Sequence, residues 1–173
     1  MTAGKLSVGK AFLLQANEDL SATQTLGHDI SAAPSTFCML LQMVFEKLAK
    51  AYRLRKMYSI PTHMRHEIAE EHFDKTIDEI IRKNPRKHKY YKRIMGLVKT
   101  LEKAQPAVVK KKSPHEPQLE YPWENEKHEI CYPAKDFPFV QRLLAHTDDV
   151  RTAWEALKFA QEYVKELESS IVS

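Results

Sequence analysis

Glycine is scarce in this chain, with 4 residues among 173. Turns in sheet-rich folds and loops that cradle phosphates both depend on glycine, so its scarcity favours helices and argues against a phosphate-binding loop. The two cysteines, Cys38 and Cys131, have neither the number nor the spacing of a zinc site or a disulfide framework. No stretch approaches the ~18–20 consecutive apolar residues that cross a membrane. The N-terminal segment lacks the core of a signal peptide, and we therefore expect a reducing, cytoplasmic compartment.

A strong excess of one charge is also missing. The chain has 27 Lys and Arg against 23 Asp and Glu, a formal charge of +4. This balance is mildly basic and falls short of a dedicated nucleic-acid-binding domain. Apolar residues make up 43%, which suits one globular domain over residues 1–173. The sequence has no P-loop, dinucleotide fingerprint or nucleophile elbow, and we expect neither a cofactor nor a metal.

Helical periodicity dominates what is present. Apolar residues recur at helical spacing in five long segments, each with a recognisable start or stop signal. Two short β-prone pieces, LEYPW and HEICYP, surround a polar turn, and their prolines confine them to an edge strand. We therefore predict an all-α, up-and-down bundle of about five helices with a small hairpin inserted before the last helices. The first helix is predicted at about 7–27, the second begins near Pro34, the third covers about 63–83 and the fourth runs from Pro85 to about 104. A short helix is predicted at 138–145, and the final one begins after Thr147.

The second helix contains the stretch FCMLLQMVFEKLAKAYRLRK, residues 37–56, which is apolar in its first half and basic in its second. Glu46 and Lys47 interrupt the apolar run. In an amphipathic helix such charges most simply mark where the core-facing arc gives way to solvent or to a neighbouring helix. Lys50 lies one turn beyond Glu46, where it can form an i,i+4 ion pair.

Several short pieces occur along the chain in a particular order: Leu41-Gln42 followed by Glu46-Lys47-Leu48-Ala49-Lys50-Ala51, then Tyr121-Pro122-Trp123 and Tyr132-Pro133, and finally Thr147-Asp148-Asp149 followed by Ala153, Leu157 and Ala160. Their order and spacing resemble the HEPN superfamily of helical domains. The resemblance covers nearly the whole chain and implies a helical bundle that is often a homodimer.

Two kinds of function are implied by the resemblance. Many HEPN proteins are metal-independent ribonucleases, often toxins or defence proteins of prokaryotes that pair with a small nucleotidyltransferase-like partner. Others are inactive and serve as RNA-binding or interaction modules. Active members carry an Arg and a His separated by about four to six residues, which meet across a dimer interface and act on the RNA 2′-hydroxyl and the scissile phosphate.

Two pairs in this chain have that spacing. Arg65 and His72 have six residues between them and share one helix face, where they could hold a phosphate and transfer a proton. The alternative for this pair is a solvated face that is rich in acids. Arg82 and His88 have five residues between them and straddle the break at Pro85, so their geometry is harder to predict.

A basic segment, RKNPRKHKYYKR at 82–93, is a candidate nucleic-acid contact. Lys and Arg neutralise phosphates, and an exposed Tyr can stack on an unpaired base. The alternative is a solvated helix start with one Tyr turned into the core. The candidate binding residues are Arg82, Lys83, Arg86, Lys87, His88, Lys89, Tyr90 and Arg93.

Three functional hypotheses stay open on these observations. The leading one is an HEPN-like module associated with RNA or nucleotides in a stress or defence system of the toxin–antitoxin kind. The second is an active endoribonuclease that uses one of the Arg/His pairs. The third is a purely structural bundle that binds protein. The aromatic residues Tyr121, Trp123 and Tyr132 either cover an open end of the bundle or line a ligand groove.

Overall fold

The computed structural model describes residues 7–59, 68–104, 117, 119 and 122–172. It confirms the all-α bundle with a small hairpin insertion. Within the described ranges, no helix is both long and apolar enough to span a bilayer. The elements in chain order are α1 (Val8–Gly27), a 3₁₀ turn (Ile30–Ala32), α2 (Pro34–Arg53), α3 (Ala69–Lys83), a second 3₁₀ turn (Pro85–Lys87), α4 (His88–Lys103), β1 (Trp123–Glu124), β2 (Ile130–Cys131), α5 (Pro133–Asp136), α6 (Pro138–Ala145) and α7 (Thr147–Val172).

Helix α2 is the centre of the core. It packs against α1, α3, α4, α6 and α7, which explains why its apolar arc is so broad. Phe45 of α2 meets Phe73 of α3 edge to face, with ring centroids 5.1 Å apart, and both rings contact Phe159 of α7. Each of these side chains is almost fully buried, which stabilises the fold by roughly 1.5–3 kcal/mol per side chain.

The charges inside α2 face a neighbouring helix. Lys47 forms an ion pair with Asp19 of α1, and Lys50 forms the expected i,i+4 pair with Glu46. Gln42 donates to Glu46 at 3.0 Å. The sequence left open whether Glu46 and Lys47 border solvent or a neighbouring helix. Lys47 borders a neighbouring helix, because it pairs with Asp19 of α1. The pairs lie along a partly buried α1–α2 interface, where each charge needs its partner because water is largely excluded.

The boundaries of α3 and α4 differ in detail from the predicted ones. The predicted start of α3 at residue 63 lies outside the described residues, and the described helix begins at Ala69. Asn84 makes no side-chain cap hydrogen bond. A 3₁₀ turn at Pro85–Lys87 follows it, and α4 begins only at His88. Pro85 has no backbone N–H and therefore cannot continue the hydrogen bonding of α3. The helix ends there without a side-chain cap from Asn84.

The hairpin forms where the sequence predicts it. Trp123 pairs with Cys131 across two antiparallel strands. In the turn, Asn125 Oδ1 accepts from the backbone amides of Lys127 at 2.8 Å and Glu129 at 3.0 Å.

The aromatic residues of the hairpin region divide between core and surface. Trp123 is 6% exposed and belongs to the core, so it covers the bundle. Tyr132 is 47% exposed. Tyr121 lies outside the described residues.

Candidate functional site

A cavity of about 270 Å³ opens where α2 ends and α3 begins. Both helix termini contribute charged or hydrogen-bonding side chains to the cavity, and Ala49 and Ile68 contribute apolar surface. The residues around the cavity are Ala49, Tyr52, Arg53, Arg55, Ile68, Glu71, His72 and Lys75.

The α2 side of the cavity is held in place by the start of α1. The amide of Gly9 donates to the carbonyl of Leu54 at 3.2 Å, and the amide of Val8 donates to that of Met57 at 2.8 Å. These bonds satisfy amides that a helix start would otherwise leave without partners. Gly9 has no Cβ, and only this allows α1 to approach so closely, because a Cβ there would lie 2.4 Å from Cα of Arg55.

Arg55 is oriented by local contacts. Its guanidinium lies over the ring of Tyr52, 4.1 Å from the centroid, and its Nη1 donates to the Tyr52 carbonyl at 2.6 Å. A cation above an aromatic face is favourable because the ring quadrupole attracts it. The Arg55 head group is therefore placed at the cavity before any ligand arrives.

His72 provides the α3 side of the cavity. Its Nε2 hydrogen-bonds to the hydroxyl of Tyr163 in α7 at 2.6 Å, and its ring lies 4.7 Å from that of Tyr52. Burial, followed by the positive charge of Arg55, lowers the pKa of His72 to about 4. Burial also raises the pKa of the Tyr163 hydroxyl. Near neutral pH both groups are consequently uncharged, and one hydrogen bond joins them.

The charges that line the cavity favour an anion. Arg53, Arg55 and Lys75 are cationic, whereas Glu71 is the acid among the lining residues. Glu71 and Lys75 form an exposed ion pair at 3.2 Å, and such a pair contributes little energy. The lining side chains thus have a formal excess of two positive charges, with neutral His72 as a further hydrogen-bonding group.

The structure places one member of the first predicted pair. His72 lies in the cavity, whereas Arg65 is outside the described residues, so their pairing stays a prediction. Arg55 is the arginine that acts electrostatically on His72 among the described residues. A histidine with a pKa of about 4 is a weak base at neutral pH, and proton transfer is most efficient when the pKa lies near the working pH.

The second pair lies at the corner between α3 and α4. Arg82 donates to the Asp78 carbonyl at 3.4 Å, and His88 begins α4. Both side chains are exposed. We call their surroundings the basic corner, defined by the exposed residues Arg82, Lys83, Arg86, Lys87, His88 and Lys89.

Two further candidates from the basic segment have partners within the fold. Arg93 binds both carboxylate oxygens of Glu155 in α7, at 3.1 and 3.0 Å. Tyr90 is half-buried and donates to the Glu155 carbonyl at 3.4 Å, and burial raises its pKa to about 12. Of the adjacent tyrosines Tyr90 and Tyr91, Tyr91 is buried in the core. The alternative of a solvated helix start expected one tyrosine to turn inward in this way.

Sequence reasoning did not identify Arg55, Tyr52 or Tyr163 as site residues. The spacing of Tyr52 and Arg55, three apart at a helix end, is a signal that could have suggested their stacking. Tyr163 gives no such signal, because it is one apolar position in the stripe of α7 and lies 91 residues from His72.

The comparisons with known proteins add no relative to this picture. No protein-family model, curated protein or solved structure shows a significant match to the chain. The described residues contain no cluster of three or more His, Cys, Asp or Glu side chains that could hold a metal ion.

Proposed function

We propose that this chain is an HEPN-like module that binds RNA or nucleotides, and that the cavity beside His72 receives a phosphate group. The observation that carries the proposal is the convergence of Arg53, Arg55 and Lys75 on a cavity of about 270 Å³. Guanidinium groups bind phosphate through paired N–H donors, and a neutral imidazole adds one more hydrogen bond. This volume lies just below the ~300 Å³ typical of small ligand sites, so a phosphate with part of its ester fits better than a large cofactor.

The basic corner favours RNA over a single nucleotide. His72 and Arg82 lie on the same helix, and ten residues of helical rise place them roughly 15 Å apart along its axis. The acids Asp74, Asp78 and Glu79 lie between them on α3. The cavity and the basic corner are therefore two separate cationic surfaces, and a ligand that engages both must carry several phosphates.

A binding experiment tests this proposal. Fluorescence anisotropy with a labelled single-stranded RNA is measured over a range of salt concentrations for the wild type, for Lys75→Met and for Lys87→Ala. The control is Lys127→Ala, which removes an exposed lysine from the hairpin turn. We expect each test variant to weaken binding and to reduce the salt slope by about 0.7, the value for one phosphate contact on a single strand.

The outcome can contradict the proposal in two ways. An absence of binding by the wild type to RNA and to inorganic phosphate would refute it. Equal losses in Lys75→Met, Lys87→Ala and Lys127→Ala would show that only net charge matters, and the cavity would then have no special role.

The endoribonuclease is the second candidate. It rests on His72 as a lining residue of the cavity, whose pKa of about 4 makes it a weak base near neutral pH. Purified protein is incubated with single-stranded RNA in the presence of a chelator, and the assay is repeated with His72→Ala and His88→Ala. Loss of cleavage in His72→Ala alone would assign catalysis to the cavity. Cleavage that survives both substitutions would exclude both histidines.

Assembly is part of the same proposal. The HEPN resemblance implies a homodimer. If this chain also binds a nucleotidyltransferase-like protein, the two would form a toxin–antitoxin pair in a stress or defence system. Sedimentation velocity of the purified chain tests the dimer, since a single species at the monomer mass would exclude it. The identity of the adjacent gene tests the pairing, because a small nucleotidyltransferase encoded there would support a toxin–antitoxin pair.

A further inference from the structure

Glu102 is a buried carboxylate with an unusual pair of partners. It lies in the last turn of α4 and is 4% exposed. Its two carboxylate oxygens accept hydrogen bonds from the backbone amides that begin α3, at 2.9 Å from Ala69 and at 2.6 Å from Glu70. One side chain from a neighbouring helix therefore caps the start of α3.

The cap is needed because, among the described residues, the N-cap position of α3 supplies no side-chain cap of its own. Ile68 occupies the N-cap position and has no side-chain acceptor. Without Glu102, two amides at the start of the helix would lose their partners in a site from which water is largely excluded. A carboxylate also matches the positive end of the helix dipole. Burial raises the pKa of Glu102, and the two amide hydrogen bonds act in the opposite direction.

The capped turn is the same turn that forms the cavity. The amide of His72 donates to the carbonyl of Ile68 at 3.0 Å and so closes the first turn of α3. Ile68, Glu71 and His72 all line the cavity. A rotation or fraying of this turn would move the His72 ring away from Tyr163, a contact of 2.6 Å that tolerates little displacement.

We propose that Glu102 is the positioning residue of the cavity, which holds the first turn of α3 so that His72 meets Tyr163. Its role in ligand binding rests on the proposed function, whereas its effect on the His72–Tyr163 contact does not. Glu102 touches no ligand in this proposal. It acts through the backbone of Ala69 and Glu70.

The test compares Glu102→Ala and the conservative Glu102→Gln with the wild type. The matched control is Asp19→Asn, which alters another largely buried carboxylate at the α1–α2 interface. Two quantities are measured: the pKa of the His72 ring by NMR titration, and the affinity for inorganic phosphate. A role in stability alone would not move the first quantity in folded protein.

The expected results separate these variants. In Glu102→Ala the pKa of His72 rises from about 4 by roughly one unit or more, because the ring becomes better hydrated. Phosphate affinity falls on the order of tenfold, as the loss of one positioned contact predicts. Glu102→Gln retains one acceptor oxygen and shows a smaller change in both quantities, and Asp19→Asn leaves both at their wild-type values.

Contrary results are equally distinct. An unchanged His72 pKa in folded Glu102→Ala would overturn the proposal, and so would an equal change in Asp19→Asn. If Glu102→Ala does not fold, Glu102→Gln decides, and wild-type values for both quantities would refute the positioning role. If the wild type binds neither phosphate nor RNA but Glu102→Ala still shifts the His72 pKa, the proposed function fails and the positioning role stands.

Discussion

Substitution of Gly9 by alanine tests how tightly α1 is fitted against the end of α2. A Cβ at this position would lie 2.4 Å from Cα of Arg55, 2.7 Å from its amide nitrogen and 2.6 Å from the carbonyl oxygen of Ala51. All three atoms belong to the backbone, so the overlap cannot be relieved by the rotation of a side chain. Relief of the overlap requires α1 to move away from the turn that carries Arg55.

The expected cost follows from two opposed effects. Alanine in a helix is normally more favourable than glycine by about 1 kcal/mol. Overpacking of this kind costs about 1–3 kcal/mol, and loss of a backbone hydrogen bond at the start of α1 costs about 1 kcal/mol more. The free energy of unfolding of Gly9→Ala should therefore fall by roughly 1–3 kcal/mol.

The chain contains a matched control for this substitution. Gly96 is an exposed glycine inside α4, and a Cβ there meets no atom within 4 Å. Gly96→Ala should stabilise the protein by about 1 kcal/mol. Urea unfolding of both variants gives the comparison. If Gly9→Ala proves as stable as Gly96→Ala, the close approach of α1 to Arg55 is wrong. Gly9→Ala should also weaken phosphate binding, because it displaces Arg55.

Three other substitutions probe the remaining features. Lys47→Ala leaves the Asp19 carboxylate without its lysine at a partly buried interface and should cost roughly 1–3 kcal/mol in urea unfolding, with Asp19→Ala adding little to it. His128 has a φ of 61°, so His128→Gly should raise the free energy of unfolding by about 1 kcal/mol, less the small contribution of its exposed contact with Glu124; an unfolding midpoint below that of the wild type would contradict this. The pKa of His72 is about 4 in the folded chain and 6.5 in the unfolded one, so the unfolded chain binds the additional proton between these values. The wild type should accordingly lose stability relative to His72→Gln as the pH falls from 6.5 to 4 and show no such change above 6.5, and parallel pH profiles in urea unfolding would refute the lowered pKa.

Local sequence signals were sufficient for most of the fold. Pro34 begins α2, and the segments predicted at 7–27 and 138–145 agree with α1 and α6 to within one residue. Helical periodicity, proline breaks and the small hairpin depend on residues close together in the chain, so their consequences can be derived without a tertiary structure. The ion pair between Glu46 and Lys50 is of the same kind, since one helix turn joins the two residues.

The candidate site depended on contacts that no local pattern encodes. Sequence spacing singled out His72, but its partner Tyr163 is 91 residues away. Glu102 caps a helix start 33 residues distant, and Lys47 pairs with Asp19 across 28 residues. Such contacts arise only when α1, α3, α4 and α7 pack around α2, because packing decides which side chains share a water-poor space. The sequence by itself determined that the chain is helical and approximately where most of the helices lie, whereas the tertiary structure decided which charged and aromatic side chains from different helices meet.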